Sequence, residues 1–317
     1  MENEMKRYTR TPYYSGRDDP EIGQIRGTLT LGETVVIETV GGHDQDYEQN
    51  HVLQPGAMME VKEPRYARQG GPFYIEDIQA GDWVAMEIIN IEVGPYGFYR
   101  NGGPHWGSMR MVAPVRDGLV HFPPDFVVPA RPMIGYIALA TLASAGPHQI
   151  ESGGNTDFNS YQAGSTVHIQ AQKEGGLMTL TDVHARMGDG ELTGTGVEID
   201  SAITLKISRS PGFPCHSPVV EKTKNVEPKE EWLTSGRASD WEGALKIAWA
   251  EMVSLICHVY NTSTEYANLI VGTLADAKPG YAAGLLNHRG SSLDSSYVTC
   301  QLAITKELRR TGKPYEA

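Results

Sequence analysis

Through its first two thirds this chain is a succession of short runs with apolar side chains at alternate positions, separated by glycine, proline and Asx residues. The runs are IRGTLTL, ETVVIETV, DWVAMEIINIEV, DGLVHF, PMIGYIALAT, STVHIQAQ, LMTLTDVHA and AITLKIS. A period of two turns one face of a strand to a core, and 35 glycines with 19 prolines supply the tight turns between strands. The expected fold is mainly β, a sandwich or barrel-like core, and 317 residues suffice to bury a substantial interior.

The pattern changes after residue 208. The stretch from Arg209 to Ser235 mixes proline and charge without a sustained period, so 209–238 reads as a crossing loop. Ser239-Asp240-Trp241-Glu242 then has the spacing of a capping box, and Ala244, Ile247, Ala248, Met252, Leu255, Ile256 and Val259 share one helical stripe. A second, shorter helix is expected from Ser263 to Ala275, with Glu265 in its first turn. A closing strand, SYVTCQLAI, sends Val298, Cys300, Leu302 and Ile304 to one face. The organisation expected is a β-rich core over 1–208 carrying the chemistry, the loop over 209–238, and an α+β segment over 239–317 whose last strand packs on the core.

Chemistry concentrates between Gly153 and Glu198, where acids and histidines sit among glycines. Gly153, Gly154, Asn155 and Asp157 form a Gly-Gly-Asn-x-Asp loop, in which Asp157 is either a metal ligand or a turn cap. Asp182 and His184 lie two apart on a strand and project together, so the pair can hold one ion, or the carboxylate can orient the imidazole. Asp189 and Glu191, interleaved with Gly188 and Gly190, are a charged hairpin tip or groups close to a small ligand. If ELTGTGVEI is a strand, Glu191 and Glu198 face opposite ways and need not share a site.

The ligand set expected is Asp157, Asp182 and His184. Its mixed oxygen and nitrogen donors fit zinc best, with calcium, magnesium or manganese where carboxylates dominate. Asp189, Glu191 and Glu76 are the candidate proton-transfer groups. Asn155 and the backbone N–H groups of Gly153 and Gly154 could hold a developing oxyanion. His105, in the aromatic tract 96–106, is a candidate to line the pocket, and His43 lies in a run that reads as an exposed loop.

These spaced motifs, in this order, resemble the acetamidase/formamidase family of metal-dependent amide hydrolases. The resemblance extends to Gly71-Pro72-Phe73-Tyr74-Ile75-Glu76 followed by Ala80-Gly81-Asp82, to Pro132-Met133-Ile134-Gly135 and to Ile37-Glu38-Thr39. It covers most of residues 25–210 and, more weakly, the C-terminal helical segment. It implies hydrolysis of a short amide such as formamide or acetamide to a carboxylate and ammonia. Met187 stands where the family usually has glutamine, Thr156 where it has methionine, cysteine or histidine, and the insertion Gln149–Ser152 takes His148 out of register. These departures bear on substrate choice and leave the carboxylate and histidine set intact.

A formal charge of -12 argues against nucleic acid as a partner. Three cysteines without a C-x-x-C pair support neither a disulfide framework nor a thiolate zinc site, which makes the cytoplasm the expected location. The polar N-terminal stretch and the absence of about 18 consecutive apolar residues argue against a membrane segment. Cys215-His216 as a thiol nucleophile and base is disfavoured, because adjacent side chains rarely face each other. The proline-rich excursion and the last strand suggest a homo-oligomer. The rival expectation is a non-catalytic, β-rich metal-binding scaffold, whose metal would be coordinatively closed rather than open to a pocket.

Overall fold

The structure, a computed structural model, describes residues 5–9, 12–13, 25–41, 65–66, 70–101, 109–122, 124–140, 150–223, 230–282 and 297–309. The alternating runs become strands. Those that position the site are β1 (Thr34–Thr39), β2 (Gly70–Ile75), β3 (Trp83–Asn101), β4 (Met133–Ala138), β5 (Gly153–Asn155), β6 (Ser165–Gln170), β7 (Met178–His184) and β8 (Glu198–Arg209).

The 19-residue β3 is the spine. It pairs antiparallel with β8 from Phe98 opposite Glu198 to Val84 opposite Arg209, and with β6 from Trp83 to Glu87. The second edge of β8 carries β1, and β7 joins β4 to β2. Two parallel pairings, Lys6–Tyr8 with β1 and Gly27–Leu29 with β2, make the sheet mixed. It extends as one large sheet and does not close into a barrel. The inward faces meet in a core that includes Ile37, Phe73, Met86, Ile137, Ile169, Leu180 and Leu205.

Within 209–238, expected to be a loop, lie β9 (Val219–Lys222) and β10 (Glu231–Ala238), which pair with each other antiparallel. Charge hid the strand signal. Lys222 and Glu231 face each other across the two strands with Nζ and Oε2 3.1 Å apart, both buried, so residues that look solvent-facing point inward as a pair. The helices are α1 (Trp241–Tyr260) and α2 (Thr264–Leu274), followed by β11 (Asp276–Pro279) and β12 (Val298–Thr305).

The cap of α1 is Asp240, which accepts the Gly243 N–H at 2.7 Å, one residue later than the Ser239 that the capping-box spacing implies, and Ser263 caps α2. The buried arc of α1 includes Ala244, Ala248, Glu251, Met252, Leu255 and Ile256. Ile247, expected on that arc, is instead 38% exposed, while Glu251, one turn on, is buried and accepts the His216 N–H at 2.8 Å. Val298, Cys300, Leu302 and Ile304 of β12 pack in the same apolar cluster as α1. Gly236 in β10 lets the helix come close, since a Cβ there would lie 2.0 Å from the Ala244 carbonyl oxygen.

Candidate metal centre

The centre begins with the pairing of β4 and β7, which brings Gly135 opposite Asp182 between the partners Ile134–Val183 and Tyr136–Thr181. The Gly135 carbonyl accepts the N–H groups of Thr156 and Asp157, at 3.1 and 3.2 Å, and so holds the end of the GGN-x-D segment over this point. A Cβ on Gly135 would lie 2.6 Å from Asp157 Oδ1, 2.7 Å from the Asp182 carbonyl oxygen and 2.9 Å from Asp182 Oδ2. The missing side chain is the space into which two carboxylates converge.

His184 ends β7 and is the cross-strand partner of Glu198, the first residue of β8. Its Nε2 lies 3.2 Å from Glu198 Oε1, 3.7 Å from Asp182 Oδ1 and 3.9 Å from Glu191 Oε1. Two overlapping triads result, Asp157–His184–Glu191 and Asp182–His184–Glu198, each with donor atoms within 4.8 Å of one another. Gly196 confines the imidazole from behind, since a Cβ there would meet His184 Cγ at 2.5 Å. Asp157, Asp182 and Glu191 all adopt left-handed backbone, with φ of 51°, 63° and 42°. Such conformations cost on the order of 1–3 kcal/mol each in non-glycine residues, so local strain gathers where the carboxylates meet.

Electrostatics follow from crowding. Burial, then the charges of Glu191 and Asp182, hold the Asp157 carboxyl well above the usual range. Burial, then Asp182, pushes Glu198 up to about 7. Burial pulls the His184 imidazole down, but the carboxylates of Glu198 and Asp182 beside it outweigh burial, and the ring is held well above its ordinary value. Among the described residues no lysine or arginine forms an ion pair with Asp157 or Glu198.

Asp157 Oδ1, Glu198 Oε2 and His184 Nδ1 are buried without hydrogen-bond partners among the described residues. An unsatisfied buried carboxylate oxygen is costly unless a cation meets it. Four carboxylates around one imidazole therefore fit a divalent cation, with oxygen donors in the majority.

The structure brings Asp157, Asp182 and His184 together and adds Glu191. It also adds Glu198, against the expectation that Glu191 and Glu198 need not share a site. That expectation treats ELTGTGVEI as a strand, whereas the chain becomes a strand only at Glu198, so alternation does not relate the two acids. Asp189 stands apart from the cluster, exposed, and accepts a hydrogen bond from Asn159 Nδ2 at 2.7 Å. Glu76 is likewise outside it, exposed on the turn after β2 and accepting from the Thr30 hydroxyl at 2.8 Å. His105, His43 and His148 lie outside the described residues.

Gly153, Gly154 and Asn155 form β5, paired with Tyr136–Ala138, rather than a free loop. Asn155 Nδ2 donates to Asp157 Oδ2 at 2.8 Å. The Asn155 carbonyl accepts from Arg237 Nη2 at 2.8 Å and from the Tyr297 hydroxyl at 3.4 Å. The guanidinium of Arg237 lies over the Tyr297 ring, 4.7 Å from its centroid. Sequence reasoning missed Arg237 and Tyr297, which come from β10 and the residue before β12. Nothing in the GGN-x-D segment signals partners so distant in the chain. Gly135 was legible only as part of the PMIG run.

The sequence model of the Acetamidase/Formamidase family matches residues 129–257, which include all five clustered side chains. Among solved structures, a predicted acetamidase/formamidase of the thermophile Thermoanaerobacter tengcongensis superposes with a TM-score of 0.76 at 23% identity, covering 95% of this chain and 96% of that one. An acetamidase of Bacillus halodurans gives 0.72 at 23%, covering 93% and 95%. An acetamidase of Yersinia enterocolitica gives 0.74 at 19%, covering 97% and 93%. At these identities the likeness establishes the fold. A Schizosaccharomyces pombe protein named as a candidate formamidase is 36% identical over 72 residues, which is 21% of this chain and 18% of that relative's length.

Proposed function

Because this chain belongs to the acetamidase/formamidase family, we propose that it hydrolyses a short linear carboxamide, formamide-like or acetamide-like, to a carboxylate and ammonia. The observation that carries the reading is the convergence of Asp157, Asp182, Glu191 and Glu198 on the Nε2 side of His184. Asp182, His184 and Glu198 would hold a divalent cation, with Asp157 and Glu191 completing its surroundings. Oxygen donors dominate, so calcium, magnesium and manganese stand beside zinc as candidate ions. A cation there supplies Lewis acidity, polarising the amide carbonyl and making water acidic enough to ionise near neutral pH.

The chain's own groups do the rest. Amide hydrolysis needs a base for water and an acid for the departing nitrogen. Asp157, its carboxyl raised by burial and by the charges of Glu191 and Asp182, is the group placed to donate that proton through Oδ1, while Asn155 Nδ2 fixes its other oxygen. In this reading Asn155 is a positioning residue, anchored in turn by Arg237 and Tyr297. Glu191 Oε1, 3.9 Å from His184 Nε2, is placed to accept the proton of water. Asp182, with 22% of its side chain exposed against 4% or less for His184, Glu191 and Glu198, marks where the centre opens to an incoming amide. An opening of this kind favours catalysis over a closed structural metal.

Ammonia release from formamide, acetamide and propionamide, measured with metal content, tests the reading. Asp182→Asn and His184→Ala should lose bound metal and activity together, by more than the roughly 100-fold typical of disturbing a residue behind a ligand. Full activity with stoichiometric metal in either variant would remove the ligand assignment. No ammonia from any amide, with metal restored to the unaltered chain, would remove the hydrolase.

A further inference from the structure

A cavity of about 200 Å³ is lined by residues that flank the metal centre in the chain, and none of the five clustered side chains lines it. It shares their backbone, since Phe158 follows Asp157 and the run Met187–Asp189 leads to Glu191. In a chain of net charge -12 its wall is basic, with Arg131, Arg186, Lys222 and Lys278 against the single acid Asp189. Lys222 is neutralised by Glu231. Arg131, Arg186 and Lys278 have no carboxylate within ion-pair distance among the described residues, and Arg186 reaches only the Pro129 carbonyl, at 3.4 Å. Burial, then the charge of Arg131, holds the Arg186 guanidinium below its usual range, as expected for like charges facing a common space.

A second observation points into the same space. Gln301 lines the cavity and is 3% exposed. Its Oε1 accepts the Ser160 hydroxyl at 2.8 Å, while Nε2, a donor, has no partner among the described residues. A buried amide N–H without an acceptor calls for one from a ligand. Phe158, Met187 and Leu233 add an apolar patch to a wall that also carries Asn159, Ser160 and Gln162.

We propose that this cavity binds a small aliphatic carboxylate, its head between the Arg131 and Arg186 guanidiniums and the Gln301 amide, its hydrocarbon end against Phe158, Met187 and Leu233. Guanidinium forks match a planar carboxylate, and the apolar patch of Phe158, Met187 and Leu233 offers the hydrocarbon end of an organic anion a contact that bare phosphate cannot use. The volume is below the 300–1,000 Å³ of sites for drug-sized ligands, which limits the occupant to a few carbon atoms.

Calorimetric titration of the full chain with sodium butyrate tests the site, with inorganic phosphate and neutral butanol as comparisons. Butyrate should bind saturably and more tightly than either. Arg186→Gln and Gln301→Leu should each weaken it by about tenfold or more, as expected for loss of a charge-assisted or buried hydrogen bond. Asp182→Asn, which alters the metal centre, should leave butyrate affinity unchanged. Absence of saturable binding, phosphate binding as tightly as butyrate, or loss of binding in Asp182→Asn would each overturn the proposal. If Gln301→Leu does not fold, Arg186→Gln at the half-buried rim decides alone.

Discussion

Replacing Gly135 by alanine adds one methyl group at the point where the two strands hand their carboxylates to the centre. The added carbon would sit 2.6 Å from Asp157 Oδ1 and 2.7 Å from the Asp182 carbonyl oxygen, where ordinary contact begins near 3.4 Å. Side-chain rotation can relieve the clash with Asp157 Oδ1, but only by swinging that carboxylate away from His184. The clash with the Asp182 carbonyl is with backbone and requires the β4–β7 pair to spread. Overpacking of this kind costs about 1–3 kcal/mol. If the strain must be carried to keep both Asp182 on the ion and Asp157 beside it, cation affinity falls by roughly 5-fold to 150-fold, since 1.4 kcal/mol is about tenfold. Competition against a chromophoric chelator measures the affinity, and urea unfolding of the metal-free protein measures the part of the cost that is purely structural. A Gly135→Ala protein that binds divalent cations within about twofold of the unaltered chain would refute the reasoning, because the glycine would then have no part in holding the site open.

Gly236→Ala should destabilise at or beyond the top of the overpacking range, about 3 kcal/mol, because its Cβ would meet the Ala244 carbonyl oxygen at 2.0 Å and the Ala248 nitrogen at 2.7 Å; an unchanged urea midpoint would contradict the helix placement. Lys222→Met should cost about 3–5 kcal/mol by leaving Glu231 charged and buried, and the double variant Lys222→Met/Glu231→Leu should recover most of that loss in the same assay. His168, 3.8 Å away through Nε2, and then Lys306 hold the Glu221 carboxyl down to about 2. A depressed carboxylate stabilises the fold above its unfolded value near 4.3, and that stabilisation is lost as pH falls from there towards 2. Thermal unfolding between pH 2 and 6 should show a weaker acid dependence in Glu221→Gln, and an identical pH profile would exclude the pairing.

What the sequence disclosed tracks which signals are local. Alternation in ETVVIETV and AITLKIS is carried by side chains a few positions apart, and both runs are strands joined in register, Ile37 opposite Ile203. The polar start at Ser239-Asp240 and the stripe through Ala248, Met252 and Leu255 are equally local and place α1, although the capping side chain is Asp240 rather than Ser239. Asp182 and His184 were legible as a pair for the same reason, although left-handed backbone at Asp182 departs from a regular strand. Glu198 was not assigned to the site, because its place there depends on a cross-strand partner, His184, fourteen residues earlier. β9 and β10 were hidden because Lys222 and Glu231 neutralise each other only in the folded pair. Arg237 and Tyr297 reach Asn155 across 82 and 142 residues, a relation that no spacing rule encodes.

The central claim is that the acids around His184 hold a cation on which amide hydrolysis depends. It is tested most directly by ammonia release from formamide and acetamide, using protein stripped by a chelator and then restored with zinc, manganese, magnesium or calcium. The account predicts that stripping abolishes release and that at least one of these ions restores it, with recovery complete at one ion bound per chain. Ammonia released at an undiminished rate by protein shown to be free of metal would contradict it.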